Sequence, residues 1–158
     1  MMKKIKVISC ILTVAVMALI FFFSSQTADV SSMTSRGFTK KIVEFVCSII
    51  RYNNPDFIIN IIHAIMRKVA HFTLFFLLGI TSVNSICRLF EFSRKKLFIY
   101  SLLFCILYAV SDEVHQIFVP GRAAMFKDVC IDSAGSVFGI SLFILVRTII
   151  VRRKKNGI

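Results

Sequence analysis

Acidic residues are scarce in this chain, with eight Asp and Glu against twenty Lys and Arg and a net charge of +12. A basic excess can signal nucleic acid. Here the cations gather as short clusters beside long apolar runs, where membrane topology places them, so no nucleic-acid partner is expected. The five cysteines form no C-x-x-C pair and no metal-ligand spacing, which argues against a cysteine metal site or a disulfide framework. H-E-x-x-H, a G-x-S-x-G elbow and a phosphate-cradling glycine loop are all absent, so no familiar hydrolase or nucleotide motif applies. Neither an internal repeat nor a low-complexity tract breaks the chain, and residues 1–158 are expected to form one domain.

What the chain does have is apolar surface: 57% hydrophobic residues, 17 Phe and a mean hydropathy of +0.81. A soluble fold of this size cannot bury that much, so lipid is the expected solvent. A membrane-spanning helix needs about 17–25 residues. Four segments qualify: Ile5–Phe23, Val69–Ile86, Leu97–Asp112 and Val129–Val151. The third is short, and crosses if its helix continues through Ser111-Asp112-Glu113. The first has a basic start like a signal peptide, but its apolar run is long and a good small-residue cleavage site is lacking, so an uncleaved anchor is expected.

Basic residues set the orientation. Lys3, Lys4 and Lys6 precede span one, Arg88, Arg94, Lys95 and Lys96 link spans two and three, and Arg152, Arg153, Lys154 and Lys155 follow span four. All three clusters fall on one side of a four-span protein, which places both termini in the cytoplasm. On the other side, 35–51 carries Phe38, Ile42, Phe45, Val46 and Ile49 at helical spacing, which predicts an outer amphipathic helix. Asn53-Asn54-Pro55-Asp56 then breaks the chain, with Asp56 placed to cap a second outer helix over 56–68. The fold expected is an all-α membrane bundle of four transmembrane helices with an outer amphipathic helix.

The polar residues converge at the outer ends of these spans. Gln26 follows span one, and Lys68 and His71 open span two. Asp112, Glu113, His115 and Gln116 end span three, Arg122 lies in the next loop, and Lys127, Asp128 and Asp132 open span four. Charge at membrane depth costs about 2.5–3.5 kcal/mol per residue on insertion scales, so it persists where it is paired or used. Glu113 and Gln116 share a helix side, as do Asp112 and His115, and Asp128 stacks with Asp132. Gly135 and Gly139, with Ser136 beside them, permit a close helix contact. Arg122 is expected near Glu113, Asp128 or Asp132, because an unpaired buried carboxylate is costly. Lys68, Asp112 and Lys127 also have the plainer reading of solvated or snorkelling charges at span ends. A metal centre built from His71, His115, Glu113 and Asp132 has no supporting motif, so neither a metal nor a cofactor is expected.

Five stretches now on the page carry a resemblance: Phe23-Ser-Ser-Gln26, Arg67-Lys-Val-Ala-His-Phe72 with Leu78-Gly79, Ser111-Asp-Glu-Val-His-Gln116, Val119-Pro-Gly-Arg122, and Lys127-Asp-Val-Cys-Ile-Asp132 with Gly135 and Gly139. In this order the chain resembles the VanZ-like family of bacterial membrane proteins. It departs at Phe75-Phe76, where the family often has a tyrosine. The resemblance implies a multi-pass protein of the bacterial cell membrane and envelope, with its founding member associated with low-level teicoplanin resistance. It implies no agreed reaction.

Three functions compete. In the first, an outward-facing pocket binds an anionic, lipid-linked or peptidoglycan-precursor component of the envelope. Arg122, Lys68 and Lys127 would hold the anion and His71, Glu113 and Asp132 would orient it, with Gln26, Gln116 and Asp128 completing the binding set. In the second, Glu113 and His71 act as base and acid of a membrane-embedded hydrolase or transferase. In the third, the same charges are structural pairs in a partner or transporter subunit. Topology is directly testable in intact cells with a cysteine-free background. Gly121→Cys should react with an impermeant thiol reagent and Ser93→Cys should be protected, and the opposite pattern reverses the orientation.

Overall fold

The computed structural model of the protein describes residues 2–26 and 55–155. Among these described residues the regular elements are four helices: α1 (Met2–Ser24), α2 (Pro55–Leu89), α3 (Arg94–Gln116) and α4 (Phe126–Lys155). All four contain a stretch long and apolar enough to cross a membrane. Helices suit that solvent because each backbone N–H and C=O finds its partner within the same segment. The third helix continues through Asp112 and Glu113 to Gln116, which gives the short third span its missing length.

The expected outer helix over 35–51 lies outside the described residues. The one expected over 56–68 is the first part of α2, in one unbroken helix with the span that follows. No proline follows Pro55 within that stretch, and helix propagation continues cheaply once a nucleus exists. Pro55 itself opens α2, a position where its fixed φ and missing N–H do no harm. Asp56 therefore falls inside the helix instead of ahead of it.

Helix α2 is the hub and packs on all three others, while α1 and α4 do not touch. The pair α2–α4 runs parallel, as successive contacts show: Lys68 with Asp128, His71 with Asp132, and Phe75 with Ser136. Along this seam both helices present small residues, and backbone meets backbone. A methyl group on Gly79 would sit 2.6 Å from the Ser136 carbonyl oxygen. One on Gly135 or Gly139 would overlap the carbonyl oxygens of Phe72 and Phe76. The sequence pattern around Gly135 signalled such a contact, and α2 is the helix that fills it.

The usual arrangement of polar outside and apolar inside is reversed in part. Ile8, Ile11, Val14, Phe22, Leu103, Leu107, Phe138 and Leu145 point outward, as lipid-facing side chains do. Between the helices Phe75, Leu78, Val83, Cys105 and Ile140 form an apolar core threaded with buried hydroxyls. Thr13 meets Ser85 at 2.9 Å across α1–α2, the Tyr108 hydroxyl donates to the Met17 carbonyl at 2.6 Å across α1–α3, and Ser136 donates to the Phe75 carbonyl at 3.3 Å. These three contacts satisfy their hydroxyls without water, while the buried Ser101 hydroxyl has no partner among the described residues.

The glycine seam makes a direct prediction. Backbone cannot rotate away from an added methyl, so Gly139→Ala must force α2 and α4 apart. Overpacking costs about 1–3 kcal/mol or more. Unfolding of the purified variant in detergent should shift by that amount, and unchanged stability would show that the two backbones are not in contact.

Candidate functional site

At one end of the bundle, where α1 and α3 finish and α4 begins, a cavity of about 210 Å³ opens between α2, α3 and α4. Its lining includes Arg67, Lys68 and His71 from α2, Glu113 and Gln116 from α3, Arg122 from the α3–α4 loop, and Asp128 and Asp132 from α4. Of the residues singled out from sequence, Lys68, His71, Glu113, Gln116, Arg122, Asp128 and Asp132 meet in this one cavity. Gln26 lines an adjoining, more apolar cavity of about 360 Å³ that shares Arg67, His71 and Arg122 with the first. Lys127 is exposed and lines neither. His115 stacks on Phe21 with ring centroids 4.4 Å apart and does not join the other proposed metal ligands.

The loop that carries Arg122 is fixed by local chemistry. Beyond α3 the Arg122 N–H bonds the Val119 carbonyl at 3.1 Å across Pro120-Gly121, with Gly121 at φ 76°. That is the type II turn, in which proline pre-sets the second position and the third needs positive φ, open to glycine. Glu113 ties the same loop down from the other side, as its Oε2 accepts the Met125 N–H at 2.9 Å. Asp128 sits in the first turn of α4, where a carboxylate complements the helix dipole, and lies 3.5 Å from the Lys68 ammonium.

Gln116 is the relay of the site. Its side-chain oxygen accepts from Arg67 at 2.8 Å and from Arg122 at 3.5 Å, while its amide nitrogen donates to Asp112 Oδ2 at 3.0 Å. The same Asp112 oxygen accepts the Ser24 hydroxyl at 2.7 Å. Asp112 is thus a buried acceptor joining α1 to α3, not a solvated charge at a span end. Arg122, expected close to Glu113, Asp128 or Asp132 directly or through water, shares the cavity with all three and, among the described residues, has no direct ion pair with any of them. Its other hydrogen bond goes to the Phe23 carbonyl at 3.1 Å, because the turn aims the guanidinium at the end of α1 and Glu113 is already engaged with the loop backbone. Burial, with Arg67 nearby, pulls the Arg122 pKa down to about 10, and Asp112 and Glu113 act in the opposite direction.

Several carboxylate oxygens lack partners among the described residues: both of Asp132, Oδ1 of Asp112 and Oε1 of Glu113. Asp132 is fully buried, and its nearest basic group is His71, with Nδ1 3.8 Å from Oδ2. That separation is too long for a hydrogen bond.

Sequence reasoning named Arg67 and Ser24 without giving them a role in the site, and missed the central place of Asp112. Two of these were open to reading, since Arg67 is four residues before His71 and Asp112 four before Gln116, so each pair shares a helix face. Ser24 was not, because its role depends on how α1 and α3 are staggered. Ser24→Ala should weaken Asp112 by one charge-assisted donor and cost about 1–3 kcal/mol. Denaturation in detergent reads this, and an unaffected midpoint would place Asp112 in contact with water.

The family model described as VanZ/LLP1 matches residues 9–147, which takes in part or all of each of the four helices and every residue lining the cavity. No curated protein and no solved structure matches the chain. With four membrane-length helices and that match over most of its length, this multi-pass membrane protein belongs to the VanZ/LLP1 family.

Proposed function

We propose that the cavity binds the anionic headgroup of a membrane-anchored envelope component, and that this binding contributes to glycopeptide and lipoglycopeptide tolerance. The observation that carries the reading is the placement of Arg67, Lys68 and Arg122 around one cavity inside a lipid-facing bundle. Arg122 and Arg67 are held by Gln116, which leaves guanidinium N–H groups for a phosphate in a setting where water competes little. The adjoining apolar cavity, walled by Phe23, Ala70 and Leu74, meets the first at Arg67, His71 and Arg122 and gives the attached chain a route toward lipid. The basic clusters at the opposite ends of the helices support an outward-facing cavity and cytoplasmic termini. Membership of the VanZ/LLP1 family supports the link to drug tolerance.

Glu113 keeps a second reading alive. One of its oxygens is fixed by the loop backbone, and the other is buried at the cavity without a partner among the described residues. A carboxylate so placed suits a general base in a hydrolase or transferase acting on the same headgroup, with His71 as the acid.

Native mass spectrometry of the purified protein tests both. The wild type should retain a phosphate-bearing lipid, and Arg122→Ala should weaken retention about tenfold, as expected for losing about 1.4 kcal/mol of charge-assisted contact. Cells carrying that variant should also lose teicoplanin tolerance. Undiminished lipid retention in both Arg67→Ala and Arg122→Ala would end the headgroup reading. Glu113→Gln separates the two readings, since an enzyme keeps its lipid and loses turnover, whereas a binder shows no turnover in either form.

A further inference from the structure

We infer that His71, Asp112 and Asp132 form a binding site for one divalent cation of the manganese or zinc type. One ligand atom from each residue lies within 4.8 Å of the others, beside the cavity that His71 and Asp132 line. His71 and Asp132 come from the parallel pair α2–α4, and Asp112 comes from α3, so three helices converge on one point.

Orphaned oxygens supply the independent observation. Asp132 is 0% exposed and neither of its oxygens has a hydrogen-bond partner among the described residues. Asp112 is 3% exposed, and its Oδ1 is likewise free while Oδ2 is engaged. Two buried carboxylates this close repel each other strongly unless a cation or a proton lies between them. The nearby guanidiniums do not fill that role, because Arg67 and Arg122 reach Asp112 through the amide of Gln116 and neither contacts Asp132. A dication with two carboxylates and a neutral imidazole leaves the cluster uncharged, which suits its depth in the bundle.

The geometry agrees. The separation of 3.8 Å between His71 Nδ1 and Asp132 Oδ2 is too long for a hydrogen bond and close to the ~3.4 Å between two ligands of a tetrahedral cation bound at about 2.1 Å. Ser24 and Gln116 hold Asp112 by its other oxygen, as outer partners of a ligating carboxylate do. One imidazole and two carboxylates form a mixed set that suits zinc or manganese better than calcium. Three protein ligands leave a coordination position toward the cavity, where an oxygen of the bound headgroup would complete the shell. That last step rests on the proposed headgroup reading; the cation site itself does not.

The purified protein, stripped with chelator and dialysed in detergent against Zn²⁺ or Mn²⁺ without added lipid, should retain about one ion per chain by elemental analysis. Asp132→Asn keeps the shape of the side chain and removes its charge, and should lower affinity at least tenfold, as should His71→Gln. Cys130 is an exposed free thiol on α4 able to hold adventitious zinc, and Cys130→Ser should leave the stoichiometry unchanged. Bound Mn²⁺ should show nitrogen coupling in pulsed electron paramagnetic resonance, and His71→Gln should abolish it, which serves if Asp132→Asn fails to fold. Retention below about a tenth of an ion per chain, or equal retention in wild type and both variants, overturns the site and leaves a shared proton between the two aspartates. Protein that holds a lipid phosphate without metal sinks the cation site alone. Metal without phosphate sinks the headgroup reading alone.

Discussion

Everything at the polar end of this protein depends on the close parallel contact between α2 and α4. Because Gly79, Gly135 and Gly139 carry no side chain, the two backbones touch, and the stagger between the helices is set at the level of single residues. With Gly135 against Phe72, Asp132 can only face His71, and Asp128, one turn earlier, can only face Lys68. In lipid there is no hydrophobic force to press helices together, so packing of small residues and interhelical hydrogen bonds must do it. The seam is therefore both the main support of the fold and the device that registers half of the site.

The other half is delivered by α3 and its loop, and here polar chemistry replaces packing. Asp112 fastens α3 to α1 through Ser24, Gln116 fastens it to α2 through Arg67, and Glu113 fastens it to the start of α4 through the Met125 backbone. Three consecutive anchors within one and a half turns leave α3 little freedom to rotate. Glu113 and Gln116 thus both stabilise the bundle and line the cavity, so substitutions there will disturb stability and the proposed binding together. Readouts that separate the two, such as metal stoichiometry, lipid retention and the contrast between isosteric and truncating variants, are needed to assign roles.

The cavity is lined by Arg67, Lys68 and Arg122 together with Glu113 and Asp132, whose carboxylates keep oxygens without partners among the described residues. Pairs formed for stability would meet directly, as Lys68 and Asp128 do, yet both guanidiniums bond the neutral amide of Gln116, and among the described residues the most buried carboxylate has no hydrogen bond. An anionic headgroup beside the guanidiniums, with a cation between the aspartates, would satisfy both groups at once.

The sequence by itself determined the solvent, the number of spans, and the end of the bundle at which polar chemistry would gather. Hydrophobic length and charge cost act locally along the chain, so Ile5–Phe23 and the acid-rich end of span three were legible without a structure. Helix faces were partly legible too, since Asp128 with Asp132 and Glu113 with Gln116 follow from the turn of a helix alone. Only the tertiary structure decided which faces meet: that Arg67 and not a carboxylate joins Arg122 at Gln116, that His115 leaves the site to stack on Phe21, and that Asp112 becomes a buried hub. Those outcomes depend on the stagger and rotation of whole helices, set by contacts between residues far apart in the chain, such as Ser24 with Asp112 and Gly135 with Phe72. No local pattern encodes a stagger, because it emerges from the sum of contacts along every interface at once.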